Sequence, residues 1–86
     1  MDINSLNLII EKKISQSFFC KNITIEDKTY LHKKHKGHEK NKFHIKLIIK
    51  SDELLKMNRI ESTKKIYKIL DYELKYYIHS IELLVN

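Results

Sequence analysis

The chain has 86 residues, 42% hydrophobic and 33% charged, with one glycine, no proline and a single cysteine. That balance describes one globular domain over 1–86 with one modest core, and it excludes a disordered chain. No stretch reaches the roughly 18–20 uninterrupted apolar residues of a bilayer span, and a lone Cys20 excludes an internal disulfide framework.

The start, MDINSLNLIIEKK, lacks the basic and small-residue regions of a secretory signal, so the expected compartment is the cytoplasm. Net charge is +6, and sixteen of the 17 basic residues are lysine, Arg59 being the exception. Lysine in place of arginine argues against bidentate base readout. Lys, Ile and Asn also share A/T-rich codons, so genome composition is a competing source of the basicity. The charge is nonetheless uneven: residues 28–50 hold eight lysines against one acid, Glu39, a local net of +7. Such a patch is either a solvated strand face and loop or a dock for an acidic partner.

Ile3, Leu6, Ile10, Ile14 and Phe18 recur every three to four residues, which predicts an amphipathic helix over 3–18 with Asp2 as its N-cap. Cys20 follows it as a small hydrophobe rather than a nucleophile. NITIEDKTY, 22–30, reads as a strand with one wet face. Residues 31–41 have no apolar pattern after Leu31 and contain Gly37, so they read as loop. FHIKLIIK, 43–50, alternates: Phe43, Ile45, Leu47 and Ile49 face one side, His44, Lys46 and Lys50 the other, with Ile48 out of pattern. The two strands should pair antiparallel, because the loop between them is too short for a helical crossover.

SDELLKM, 51–57, suits a short helical turn capped by Ser51. Residues 58–78 read as one second main helix. Asn58 and Glu61 stand at the capping-box offset, and Ile66, Leu70, Leu74, Tyr77 and Ile78 form the apolar stripe, whose core side Tyr67 also fits. Tyr72 and Tyr76 share another face. HSIELLV, 79–85, fits a helix end or a strand equally well.

The histidines are the candidates for chemistry. His32, His35 and His38 crowd one loop, and neutral imidazole ligates zinc or iron. The same residues read equally well as solvated loop. His79 is either a half-buried histidine closing a helix C-terminus or a ligand. No CxxC, HExxH, GxGxxG, P-loop or activated nucleophile motif is present, and no enzyme is expected.

ITIEDKTYLHKKHKG resembles the first strand and loop of the BolA-like family, where Asp-x-Ser/Thr leads to a histidine, a second histidine and a glycine: here Asp27, Thr29, His32, His35 and Gly37. FHIKLIIKS is similar to the family's second strand. IYKILDYELKYYIHSIEL resembles its second helix and C-terminal histidine through Ile66, Tyr67, Leu70, Glu73, Leu74, Ile78 and His79. The likeness covers roughly 8–85. The chain departs from the pattern before Ile66: a Phe-x-Gly turn and an Arg-His-Arg cluster are replaced by LLKMNRIESTKK.

The resemblance implies an α+β fold of αββααβ order, similar to a class II KH domain, with a three-stranded mixed sheet covered by two main helices and 79–85 as a strand. It implies a non-enzymatic adaptor, a monomer on its own, that pairs with a monothiol glutaredoxin. Together they share a 2Fe–2S cluster assisted by glutathione, for cluster trafficking or iron and redox sensing. The implied ligands are His32 and His79, with His35 in reserve. Lys33, Lys34, Lys36, Lys40 and Lys42 would border the partner. The alternative is a transcription regulator of the stress-response kind, binding DNA weakly and salt-sensitively through the same lysines. The glycine-poor 52–65 stretch lacks the GXXG clamp of KH domains.

Overall fold

The computed structural model describes residues 1–31 and 42–86. Helix α1 runs over Ile3–Ser17. The Asp2 carboxylate accepts from the Ser5 N–H at 2.8 Å, which satisfies one of the donors a helix start leaves open. Leu6, Ile10 and Ile14 on its inner face are wholly buried, with Ile3 and Phe18 packed at the margins. Phe18 turns extended and ends the helix one residue earlier than predicted. Cys20 then lies half-buried against the core, and burial pushes its thiol pKa up.

Strand β1 covers Asn22–Asp27, with Ile23 and Ile25 on the core. The predicted strand continued to Tyr30. It stops because the Asp27 carboxylate accepts from the Thr29 N–H at 2.9 Å, an Asx turn that diverts the backbone into a single 3₁₀ turn, Thr29–Leu31. Strand β2 is Phe43–Lys50 and pairs antiparallel with β1, from Asn22 opposite Lys50 to Asp27 opposite Ile45. Ile45, Leu47 and Ile49 are buried as the alternation predicts.

Ser51 caps helix α2, Asp52–Leu55: its hydroxyl accepts from the Leu54 N–H and donates to the Phe19 carbonyl. Asn58 caps helix α3, Arg59–Ile69, by accepting from the Glu61 N–H at 2.8 Å. Helix α4, Asp71–Tyr76, follows, and strand β3, Ile78–Val85, completes the sheet parallel to β2. The strand order is β1-β2-β3. The α+β class and the mixed three-stranded sheet are therefore as expected, and 78–85 is a strand. One core joins Leu6, Ile10 and Ile14 to Ile45, Leu47, Ile49, Leu54, Ile66, Leu70 and Ile78. Among the described residues no helix is long and apolar enough to cross a membrane.

Two expectations are corrected. The second main helix is not continuous over 58–78. Leu70 adopts φ −97°, ψ 20° and divides it, although no Gly or Pro is present to break it. Leu70 is wholly buried, and beyond the break Glu73 is 3% exposed and takes the Lys13 ammonium at 2.8 Å on each carboxylate oxygen, an ion pair that joins α1 to α4. Tyr67 does not join the core. It is 38% exposed and donates its hydroxyl to the Ile81 carbonyl of β3 at 3.3 Å. Tyr72 and Tyr76 do share an outer face, with ring centroids 4.8 Å apart.

Removing the cation alone should strand the Glu73 carboxylate. Lys13→Met is expected to lower stability by about 2 kcal/mol, toward the low side for a buried pair because Lys13 is partly solvated. In a domain of this size that is roughly 10 °C in Tm. Lys13→Met with Glu73→Leu should recover most of the loss. Thermal and urea melts of the three proteins measure this, and equal midpoints for wild type and Lys13→Met would show the pair to be energetically idle.

Candidate functional site

The candidate ligand His79 is the second residue of β3, not a helix cap. Helix α4 ends at Tyr76 and is capped by Tyr77, whose N–H donates to the Glu73 carbonyl at 2.8 Å. Tyr77 in turn accepts from the Phe43 N–H at 2.9 Å, so the chain enters β3 alongside the start of β2. Ile78 lies opposite Phe43, but Ser80 lies opposite His44. One step on β2 therefore matches two residues on β3, and His79 is the extra residue. Such bulges re-aim a side chain. His79 is exposed, with its ring centroid 4.8 Å from that of His44.

His44 was expected on the wet face of its strand. It is instead 6% exposed. Its Nδ1 lies 2.7 Å from the Ser80 hydroxyl. Its N–H donates to the Thr29 hydroxyl at 3.1 Å, and its carbonyl accepts from the Lys28 N–H at 2.7 Å. The Thr29 hydroxyl itself donates to the Asp27 carboxylate. Asp27, Thr29 and His44 thus form a relay in which Thr29 uses its donor and its acceptor at once. The relay explains the Asp-x-Thr spacing: it pins the chain leaving β1 to the beginning of β2.

His32, His35, Lys33, Lys34, Lys36 and Lys40 lie outside the described residues, as does His38. Their neighbours on both sides are described. Leu31 closes the 3₁₀ turn that Thr29 anchors to His44, and Lys42, half-buried, precedes Phe43. Both stems of 32–41 therefore meet the sheet at the corner where His79 emerges. Among the described residues no three His, Cys, Asp or Glu side chains converge as a metal-holding group. Sequence reasoning assigned His44 no role. Its only signal was a histidine opening the most regular strand of the chain.

Comparison with known proteins places this geometry in context. The family model for BolA-like proteins matches residues 14–86. A relative from Haemophilus influenzae, named DNA-binding transcriptional regulator BolA, is 32% identical over 79 residues, which are 92% of this chain and 74% of the relative. The BolA domain of SufE1 from Arabidopsis thaliana superposes with a TM-score of 0.77 at 23% identity, over 100% of this chain and 93% of that one. BolA1 from Arabidopsis thaliana superposes with a TM-score of 0.72 at 22% identity, over 90% and 85% of the two chains. At those identities the structural likeness speaks for the fold.

The relay sets an expectation of its own. Thr29→Val keeps the side-chain shape but leaves the His44 N–H without its acceptor, at a cost of about 1–3 kcal/mol. Amide exchange at His44 should accelerate while exchange at Leu47 follows only the global stability change. Unchanged protection at His44 would refute the relay.

Proposed function

This chain belongs to the BolA-like family, and from that premise we propose that it is a non-enzymatic adaptor. It pairs with a monothiol glutaredoxin and shares a bridging 2Fe–2S cluster through His79 and His32, with His35 as the other loop candidate. The observation that carries the reading is the meeting of three pieces of chain at one corner of the sheet. His79 emerges exposed at the β3 bulge. The two stems of 32–41 are hydrogen-bonded to the same corner, through Thr29 to His44 and through Phe43 to Tyr77.

The donor set suits this role. Two neutral imidazoles occupy half of the four protein positions such a cluster takes, and thiolates from a glutaredoxin and glutathione complete it. A cluster with imidazole in place of thiolate has a higher reduction potential, which fits transfer or sensing better than permanent storage. The contribution of this chain is to hold one imidazole on a rigid strand and to bring the other on a tethered loop. Lys33, Lys34, Lys36, Lys40 and Lys42 would border the partner surface, where positive charge steers encounter with an acidic face.

The second reading is a DNA-binding regulator, favoured by the name of the Haemophilus influenzae relative. It would use the same lysines as phosphate contacts, with little base readout.

Anaerobic reconstitution with a monothiol glutaredoxin, glutathione, iron and sulfide separates the two. The adaptor reading expects a heterodimer whose visible circular dichroism differs from that of the glutaredoxin alone and is lost in His79→Ala. Absence of any heterodimer refutes it. The DNA reading expects duplex binding that falls steeply with salt. Each phosphate contact adds about −0.9 to the log–log slope, so five lysines give a slope of roughly −4.5.

A further inference from the structure

A ligand on an exposed strand position is useful only if its ring is aimed. His79 leaves the sheet at a bulge and faces solvent. The ring of His44 stands beside it, 4.8 Å away between centroids and tilted by 41°. His44 is fixed through its backbone on both polar groups and through its ring by Ser80. The His44 carbonyl accepts from Lys28, its N–H donates to Thr29, and its Nδ1 meets the Ser80 hydroxyl at 2.7 Å. Ser80 is the neighbour of His79 in sequence and the partner of His44 in register. The bulge thus delivers two consecutive β3 side chains to one buried ring, a hydroxyl that locks it and an imidazole that leans on it.

We propose that His44, locked by Ser80, is a positioning residue that fixes the rotamer of the His79 imidazole for metal ligation. This rests on the cluster-sharing reading above. His44 does not itself need to ligate: its Nδ1 is engaged by Ser80, and its ring is nearly closed to solvent. It supplies a flat, immobile wall. Partners that orient a metal-binding imidazole typically change metal affinity by about 10–100-fold when removed.

The test uses the whole chain, first alone and then with the partner. In labelled protein without metal, ring-to-ring nuclear Overhauser effects and the χ1 couplings of His79 report its rotamer. Wild type should show one dominant χ1 and a strong contact to His44. Ser80→Ala and His44→Ala should average it, while His44→Phe, which keeps a flat ring, should preserve it. In the reconstituted complex with a monothiol glutaredoxin and glutathione, Ser80→Ala and His44→Ala should weaken retention of the cluster by about tenfold. His44→Phe should stay within about twofold of wild type.

An unchanged His79 rotamer in both Ser80→Ala and His44→Ala overturns the proposal. So does loss of the cluster spectrum in His44→Phe as complete as in His79→Ala, which would make His44 a ligand. Ser80 is exposed, so Ser80→Ala tests the idea even if His44→Ala unfolds. If His79→Ala leaves the complex spectrum intact, the cluster reading fails instead, and the rotamer measurement identifies that case separately.

Discussion

Parallel strands cannot be joined by a tight turn. Pairing Phe43–Lys50 with Ile78–Val85 in parallel therefore obliges residues 51–77 to cross from one end of the sheet to the other. Those residues become α2, α3 and α4, and they deliver Leu54, Ile66 and Leu70 to the core that α1 and the sheet already share. The same pairing anchors the C-terminal end. Asn86 donates to the Ile49 carbonyl at 2.9 Å and accepts from the Ser51 N–H at 3.0 Å. β2 is thus bonded on both flanks, and its register sets where every other element begins.

The corner where His79 emerges is a consequence of that register. β2 starts at Phe43, and both the start of the Thr29–Leu31 turn and the residue that leads into β3 are tied to its first two residues. A single irregularity in the ladder between Phe43 and His44 changes what β3 displays. Without it His79 would fall strictly into alternation. With it, His79 faces outward beside a buried histidine, and Ser80 reaches the same ring.

The ion pair at the far side of α1 shows how a small domain distributes polar cost. Glu73 is nearly closed to solvent, but Lys13 grips both of its oxygens and places its ammonium over the Tyr72 ring, 5.9 Å from the centroid. A buried charge is tolerated only with such a partner. The pair joins the first helix to the last.

Much of this was local and therefore readable in the sequence. A period of 3.6 in Leu6, Ile10 and Ile14, a period of 2 in Ile45, Leu47 and Ile49, and the caps Asp2, Ser51 and Asn58 each depend on neighbours within a few residues. The Asp-x-Thr and His79 landmarks carried the family resemblance. Tertiary structure decided what depends on distant partners. HSIELLV has no periodicity that distinguishes helix from strand, and only an open edge of β2 made it a strand. His44 is buried rather than wet because Thr29 from the 3₁₀ turn and His79 and Ser80 from β3 converge on it. Tyr67 left the core to reach the Ile81 carbonyl, and the crossover helix divides at Leu70 although it lacks any local breaker. Periodicity reports which residues share a face, but only a fold supplies what that face meets.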